Sequence, residues 1–505
     1  MRPFIKIMVP LALSLAAIVP AQAHVGSPDV FFEGNAGPYR LFVTVRVPPV
    51  IPGVAEIQIR SESSEARAIR VVPMRLAGPG SNLPPTPDLA VQSKDDPQFF
   101  TASLWLMESG ALQVRVIVDG AKGPGEISVP VPSSAQRTLP MQKSLAALLL
   151  ALMLLLAFGV VFIVGAIVRE GNLDGGLAPD QFRERRARRA MIGTAVLVVI
   201  LLFLGRAWWN SNAVDFQRRV DFFKPPAAAL KLVDGHRLEI RVARTEMRSP
   251  VYLRLGDVIP DHGHLMHLFL LRVPDLDAIW HLHPEPARDD AFAVDLPDVP
   301  AGRYQMYADV VDPRGYPWTL VGTIDLPQIA GKPMAGDDSM WSGGPLVTPT
   351  ADSVNVAIPD GGHIVWQRSS GPLKANVPLE FTFDVQDKSG QPAIDMEPYM
   401  GMAGHAEFVR SDLSVFAHVH PAGSVSMAAL ELAENGTANV AGTGSTVMSM
   451  PMATDMSMPM ASDSGPISPE VRFPYGFPQA GDYRIFVQIK RSGRVETGVF
   501  DAHVQ

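Results

Sequence analysis

The chain has 505 residues with a formal net charge of −8, and it contains 12 His, 22 Met and no Cys. The acidic balance argues against nucleic acid as a partner. The absence of Cys excludes disulfides, iron–sulfur clusters and copper centres that need a Cys ligand. The length allows about three domains of ordinary size. Any metal chemistry must therefore rest on His, Met and carboxylate ligands.

Residues 1–23 have the pattern of a secretory signal peptide. A basic N-terminus precedes an apolar run, which ends in Ala-Gln-Ala at residues 21–23, and small residues in this spacing are typical of the cleavage site. Cleavage there would leave His24 as the first residue. The region that follows, residues 24–138, alternates apolar and polar side chains between Pro-rich turns. This pattern predicts a β-sandwich of the immunoglobulin-like type.

Two apolar segments, residues 144–168 and 190–209, predict a transmembrane hairpin, because each is about as long as the hydrocarbon core of a bilayer requires. The intervening residues 169–189 carry six Arg. Basic loops stay on the cytoplasmic side of a membrane. We therefore expect a bacterial inner-membrane protein whose N-terminal and C-terminal domains both lie in the periplasm.

Residues 228–328 and 352–505 are interpreted as two copies of one β-sandwich domain, joined by a linker at residues 329–351. Each copy has an Asp-Gly-(Gly)-His turn, then a His-containing hairpin, and then an Ala-Gly-x-Tyr strand start, in the same order. Short alternating segments broken by Pro and Gly dominate both. With the N-terminal domain, the chain is expected to be mainly β, with three immunoglobulin- or cupredoxin-like sandwiches.

In each copy a single His begins an apolar strand, and a His-x-His motif follows after a polar turn. The residues are His267, His281 and His283 in the first copy and His405, His418 and His420 in the second. Alternate residues of a strand share a face, and folding the hairpin places His267 opposite His283 and His405 opposite His420. Three imidazoles of each copy could then bind one metal ion. The alternative is a His-rich hairpin that only forms hydrogen bonds.

Other candidate ligands flank these hairpins. They are Met266 and Met402, beside the first histidine of each motif, and His262 and His264, a second His-x-His in the first copy. Imidazole suits copper and zinc, and a thioether favours Cu(I) over zinc. The corresponding stretch of the second copy, residues 396–402, has Met in place of His, and no counterpart of the second His-x-His is expected there. We therefore expect the first copy to prefer Cu(II) and the second Cu(I).

An eight-residue unit rich in Met is repeated at residues 448–463. Its thioethers belong to Met448, Met450, Met452, Met456, Met458 and Met460. They alternate with small and polar residues, which could not form a core. The segment is predicted to be a flexible loop, inserted between Met427 and the strand near Val471, that captures Cu(I). A low-complexity linker without metal is the alternative.

The His hairpin of the first copy, together with its closing Ala301-Gly302-Arg303-Tyr304, resembles the YtkA-like periplasmic β-sandwich domains of copper-handling proteins. The resemblance covers roughly residues 228–328 and, less closely, residues 352–505. It implies metal handling or assembly rather than catalysis.

Three functional hypotheses arise. The preferred one is a membrane-anchored, periplasmic copper-binding protein that acts in tolerance, sequestration or delivery, with a copper exporter or another cuproprotein as partner. A copper- or zinc-dependent enzyme is the second; against it, no general base accompanies the histidines, since Glu285 and Glu407 are expected to be solvated. The third is an assembly protein for a membrane complex, in which metal is incidental.

Overall fold

The computed structural model describes residues 24–25, 29–174, 176–222, 224–243, 253–288, 290–332, 338–341, 353–441 and 467–505. The predicted signal peptide and the Met-rich loop lie outside these residues. Strands account for 45% and helices for 19% of the structure. The prediction of a mainly β fold with an apolar helical pair is confirmed.

The N-terminal domain is a sandwich of two antiparallel sheets. Its region contains the strands β1 (His24–Val25), β2 (Val30–Ala36), β3 (Tyr39–Arg46), β4 (Gly53–Ser61), β5 (Ala66–Arg75), β6 (Asp88–Leu89), β7 (Val91–Gln92), β8 (Phe99–Leu106), β9 (Gly110–Gly120) and β10 (Gly123–Ser133). One sheet has the order β2-β3-β4-β8-β7 and the other β10-β9-β5-β6. Alternate residues of these strands, such as Leu41, Val43 and Val45, are fully buried between the sheets.

Two long helices follow, α1 (Lys143–Glu170) and α2 (Gln181–Phe222). Of the described helices, these two are long and apolar enough to cross a membrane. The predicted Arg-rich loop at residues 169–189 was wrong in its extent, because five of its Arg belong to the first turns of α2. The Asp180 carboxylate accepts the backbone N–H of Arg183 at 2.8 Å, and such a cap starts a helix early.

The first copy contains β11 (Ala228–Val233), β12 (Arg237–Val242), a 3₁₀ turn (Leu255–Asp257), β13 (His267–Val273), β14 (Ile279–Leu282), β15 (Glu285–Ala287), β16 (Ala291–Asp295), β17 (Gly302–Val311), β18 (Pro317–Leu326) and β19 (Met340–Trp341). Its sheets have the orders β11-β12-β16-β15 and β18-β17-β13-β14-β19. Strand β19 falls in the predicted linker and pairs with β14. Part of the linker therefore belongs to the first copy.

The second copy contains β20 (Asn355–Ala357), β21 (His363–Trp366), β22 (Leu379–Gln386), β23 (Met396–Glu397), β24 (His405–Arg410), β25 (Val415–Val419), α3 (Met427–Ala441), β26 (Glu470–Tyr475), β27 (Gly481–Arg491) and β28 (Arg494–Val504). Its strands β28, β27, β24 and β25 pair in the same order as β18, β17, β13 and β14. Helix α3 forms the first part of the stretch between Met427 and Val471, and the predicted loop at residues 448–463 lies outside the described residues.

The two copies pack face to face through their His-bearing sheets. In β13, Leu268 and Leu270 point into the core of the first copy, whereas Phe269 and Leu271 belong to an apolar cluster shared with the second copy. The Tyr307 ring of the first copy stacks on Phe416 of the second, with centroids 4.1 Å apart. Because alternate residues of a strand point to opposite faces, every histidine on the same face of the sheet as Phe269 or Phe416 is directed into this interface.

The N-terminal domain packs on the second copy. Phe31 lies in the apolar core of that copy, and the Glu33 N–H donates to the Ala422 carbonyl at 2.9 Å. Gly423 allows this close approach, since it has a φ of +121° and a Cβ there would lie 2.0 Å from the Phe31 carbonyl oxygen. The turn that follows His420 is thereby held between two domains.

Candidate metal centre

The interface between the two copies carries a cluster of histidines. The first copy contributes five histidines and the second copy three: His262, His264, His267, His281 and His283, and His405, His418 and His420. Neighbouring ring centroids are between 3.7 and 6.1 Å apart. The predicted hairpins are confirmed in their register, because Phe269 lies opposite His281 and Glu407 opposite His418.

Two groups of three histidines among the described residues have ligand atoms within 4.8 Å of one another. The first triad is His267, His281 and His283, as predicted. The second triad is His262, His405 and His420. The His267 Nδ1 and His281 Nε2 atoms are 3.1 Å apart, and so are the Nε2 atoms of His262 and His420. Three converging imidazole nitrogens are a ligand set that suits copper or zinc.

The second triad differs from the predicted one, because His262 of the first copy takes the place of His418. The His418 ring lies between the triads, 5.3 Å from His405 and 5.6 Å from His281 between centroids. Its Nδ1 is 3.4 Å from an oxygen of Asp309. The second triad therefore combines histidines of both copies, a question that the sequence leaves open. The sequence could not show this exchange, because it depends on packing between segments more than 140 residues apart.

The two methionines predicted beside the hairpins have different positions. Met266 is fully buried in the apolar core of the first copy, since it precedes His267 and so points to the opposite face. The prediction that Met266 is a ligand was wrong. Met402 is half-buried and closes a turn through a bridge with Tyr399.

His262 reaches the second copy from a tight turn at residues 261–264. The turn is closed by a bridge between Asp261 and His264, with a φ of +51° at His262 and +81° at Gly263. Contrary to expectation, this turn has a counterpart at residues 399–402, where φ is +49° at Met400 and +80° at Gly401. Asn, Asp and His are the non-Gly residues most often found at positive φ, so Met400 is the more unusual of the two. The same left-handed turn conformation thus occurs in both copies.

Burial keeps six histidines of the centre neutral. Desolvation lowers the pKa of His262 to about 3, with a smaller contribution from the neighbouring imidazoles. Desolvation, with a contribution from His262, also lowers the pKa of His420 to about 3. The pKa values of His267, His281, His405 and His418 are also well below the usual value for the same reasons. Both ring nitrogens of His405 and Nε2 of His418 are buried without a hydrogen bond. Neutral imidazole is the form that binds metal.

Acidic side chains lie beside the histidines. Glu407 is fully buried, and desolvation, with a contribution from Asp309, raises its pKa well above the usual value. Desolvation also raises the pKa of Asp309 to about 7. The expectation of a solvated Glu407 was wrong. Its position two residues after His405 in a strand was a signal for it, whereas nothing in the sequence indicates Asp309.

A hydrogen-bonded chain joins Glu407 to the first triad. The Gln488 amide donates to Glu407 Oε2 at 3.1 Å, and the Tyr399 hydroxyl donates to Gln488 Oε1 at 3.1 Å. The Tyr399 oxygen is also 3.1 Å from His281 Nδ1. The two histidines of the Asp-Gly-(Gly)-His turns, His236 and His363, instead bond at the surface to Asp234 and Asn355.

Asp261 fixes the turn that carries His262. One carboxylate oxygen of Asp261 accepts the N–H of Ala428 in the first turn of α3 at 2.7 Å. The backbone carbonyl oxygen of Asp261 lies 3.0 Å from His267 Nε2. We expect Asp261→Ala to lower the free energy of unfolding by about 1–2 kcal/mol, as for the loss of a helix cap. Asp261→Asn keeps the acceptor and should lose less. Denaturant unfolding of both variants measures this, and equal losses would contradict a capping role.

The described chain thus consists of three β-sandwiches, a helical pair able to cross a membrane, and a histidine cluster between two of the sandwiches. Residues 357–505 match a family described as a domain of unknown function, DUF8832. No curated protein matches the sequence.

Solved structures show weak similarity. A tetra-tandem repeat from the extending region of a large adhesion protein is 8% identical, with a TM-score of 0.16, over 96% of each chain. An ICAM-5 D1–D4 ectodomain fragment is 8% identical, with a TM-score of 0.16, over 93% of this chain and 77% of its own. Salmonella alpha-2-macroglobulin reacted with methylamine is 8% identical, with a TM-score of 0.19, over 95% of this chain and 24% of its own. At these scores, nothing about function is carried over to this chain.

Proposed function

We propose that this chain is a membrane-anchored copper-binding protein that holds copper in the histidine cluster between its two repeated domains. The observation that carries the proposal is the convergence of two imidazole triads in a buried interface. Nitrogen ligands alone suit both copper and zinc, but the thioethers of the Met-rich segment 448–463 favour copper.

The burial of the triads favours a copper ion that is retained. His267, His281 and His405 are at most 1% exposed, so a partner protein could not share these ligands without opening the interface. Among tolerance, sequestration and delivery, the geometry therefore supports sequestration or a resident centre. A delivery role would fall to the Met-rich segment.

The proposed location is the periplasmic side of a bacterial inner membrane. It rests on the signal-peptide pattern at residues 1–23 and on the Arg cluster at the start of α2.

A copper-dependent enzyme is the second candidate, favoured by Glu407 and Asp309 beside the triads. An ion held by three histidines keeps a position open for substrate, and carboxyl groups with raised pKa values can supply protons near neutral pH. Oxygen or peroxide consumption by the copper-loaded protein, compared with its Glu407→Gln variant, tests this candidate.

Titration of the full-length protein in detergent with Cu(I) and Cu(II), using competing chelators, tests the proposal. We expect tight binding that is lost in a variant with His267, His283, His405 and His420 changed to Ala. A control changes the surface residues His236, His363 and His503 to Ala and should bind as the parent does. Binding weaker than millimolar in the parent, or equal binding in the two variants, would refute a histidine-held copper.

A further inference from the structure

We propose that Met400 supplies a thioether to the first triad across the domain interface, so that the two ends of the cluster bind copper with different ligand sets. This inference rests on the proposed copper site. It adds a ligand to the first triad, and it gives a reason why one cluster would bind copper in two oxidation states.

The turns that carry His262 and Met400 are equivalent. His262 precedes His267 by five residues, and Met400 precedes His405 by the same number. Both occupy the second position of a bridged turn, with φ values of +51° and +49°. His262 crosses the interface to the histidines of the other copy, with its Nε2 3.1 Å from that of His420. The residue equivalent to His420 is His283. The same geometry therefore directs Met400 toward His283.

Met400 adjoins residues that contact the first triad. Its backbone N–H donates to a carboxylate oxygen of Asp338 at 3.2 Å. The next residue, Ser339, has its hydroxyl oxygen 3.4 Å from His283 Nδ1. On the other side, the hydroxyl of Tyr399 is 3.1 Å from His281 Nδ1. The residues that adjoin Met400 in space and in sequence are thus held against two members of the first triad.

Met400 lies in a different environment from the methionines of the apolar cores. Met400 is 7% exposed, yet it is not a member of any apolar core cluster in the part of the chain that the structure describes. Met266 and Met306, by contrast, are fully buried in the core of the first copy. Met400 is thus buried outside these apolar cores, next to residues that contact imidazoles of the first triad, and its sulfur can act as a soft ligand.

The copper preference that follows is the reverse of the one expected from the sequence, in which the first copy prefers Cu(II) and the second prefers Cu(I). Imidazoles with one thioether favour Cu(I) at the first triad, whereas the second triad, with imidazoles only, also accepts Cu(II). The turn at residues 399–402 belongs to the second copy, but its Met400 would complete the ligand set of the first triad. His262 does the same in reverse, because each turn directs its second residue across the interface.

The test uses a parent chain in which the six Met of residues 448–463 are changed to Leu, so that other thioethers do not obscure the signal. Met400→Leu conserves side-chain volume. Met306→Leu is the matched control, since it removes an equally buried sulfur from an apolar core. Cu(I) affinity by competition and X-ray absorption of the copper-loaded proteins are the two measurements.

We expect Met400→Leu to lose the sulfur scatterer and to weaken one Cu(I) equivalent by at least about tenfold, while Met306→Leu changes neither. Met400→His should replace the sulfur with nitrogen and retain the copper content. A Met400→Leu protein that equals Met306→Leu in both measurements would overturn the assignment and leave the proposed function intact. A parent that binds no copper would overturn the proposed function and this assignment together.

Discussion

Replacing His262 with Ala is expected to remove the copper held by His405 and His420, although His262 belongs to the other domain. Its Nε2 lies 3.1 Å from His420 Nε2, and its ring centroid is 5.5 Å from that of His405. Loss of a supporting residue outside the ligand set already weakens metal binding by about 10- to 100-fold. The loss of a ligand should therefore weaken one copper equivalent by more than about 100-fold and leave the other nearly unchanged.

The matched control is His236→Ala, which removes an exposed histidine from the same domain and should retain full copper content. Isothermal titration of both variants in detergent, with the unfolding midpoint of each protein as a check on folding, measures the effect. Full retention of copper by a folded His262→Ala protein would contradict the cross-domain triad. Loss of all copper would mean that the two triads do not bind independently.

Acidification of the copper-free protein is expected to lower its free energy of unfolding steeply below about pH 6. The pKa values of His262 and His420 are about 3 in the folded protein, against 6.5 for an unperturbed imidazole, and those of His267, His281, His405 and His418 are also lowered. Below pH 6.5 the unfolded chain therefore binds protons at these six groups that the folded chain does not bind. Stability is present above pH 6.5 and is lost as the pH falls toward 3.

The buried carboxyl groups oppose this effect in part. Burial raises the pKa values of Asp261, Asp309 and Glu407, so the folded chain holds protons there that the unfolded chain releases above about pH 4. The net uptake on unfolding is then about three protons, which corresponds to a slope on the order of 4 kcal/mol per pH unit. Domains are stable by only about 5–15 kcal/mol, so acidification from pH 6 to 5 should remove a large part of the stability of the copper-free protein.

Copper should protect the protein, because it binds the folded state and competes with protons for the same nitrogens. Denaturant unfolding at pH 7, 6 and 5, with and without copper, measures both effects. A His236→Ala control should keep the slope of the parent. A free energy of unfolding that stays constant from pH 7 to 5 without copper would show that the histidines are not buried as neutral groups.

The local features of the site could be predicted from the sequence. The hairpin register of His267 with His283 and of His405 with His420 depends only on strand periodicity and turn length, and both are visible in the chain. The apolar centres of α1 and α2 were equally clear. Periodicity also places Glu407 on the face of His405, so its burial could have been predicted from the same pattern.

The relation between the domains could not be predicted. The position of His262 beside His420, of Asp309 beside His418 and of Tyr399 beside His281 depends on face-to-face packing of segments more than 100 residues apart. Motif spacing within one copy contains no information on that packing. The burial of Met266, by contrast, follows from strand periodicity alone, because its position next to His267 points it into the core of the first copy.

Anomalous X-ray diffraction at the copper absorption edge, from crystals of the copper-loaded full-length protein, shows directly whether the two repeated domains together build one metal centre. We predict copper peaks within the His267, His281 and His283 triad and within the His262, His405 and His420 triad, both in the interface between the copies. Copper found only outside this interface, at the Met-rich segment or at His24, would contradict the account.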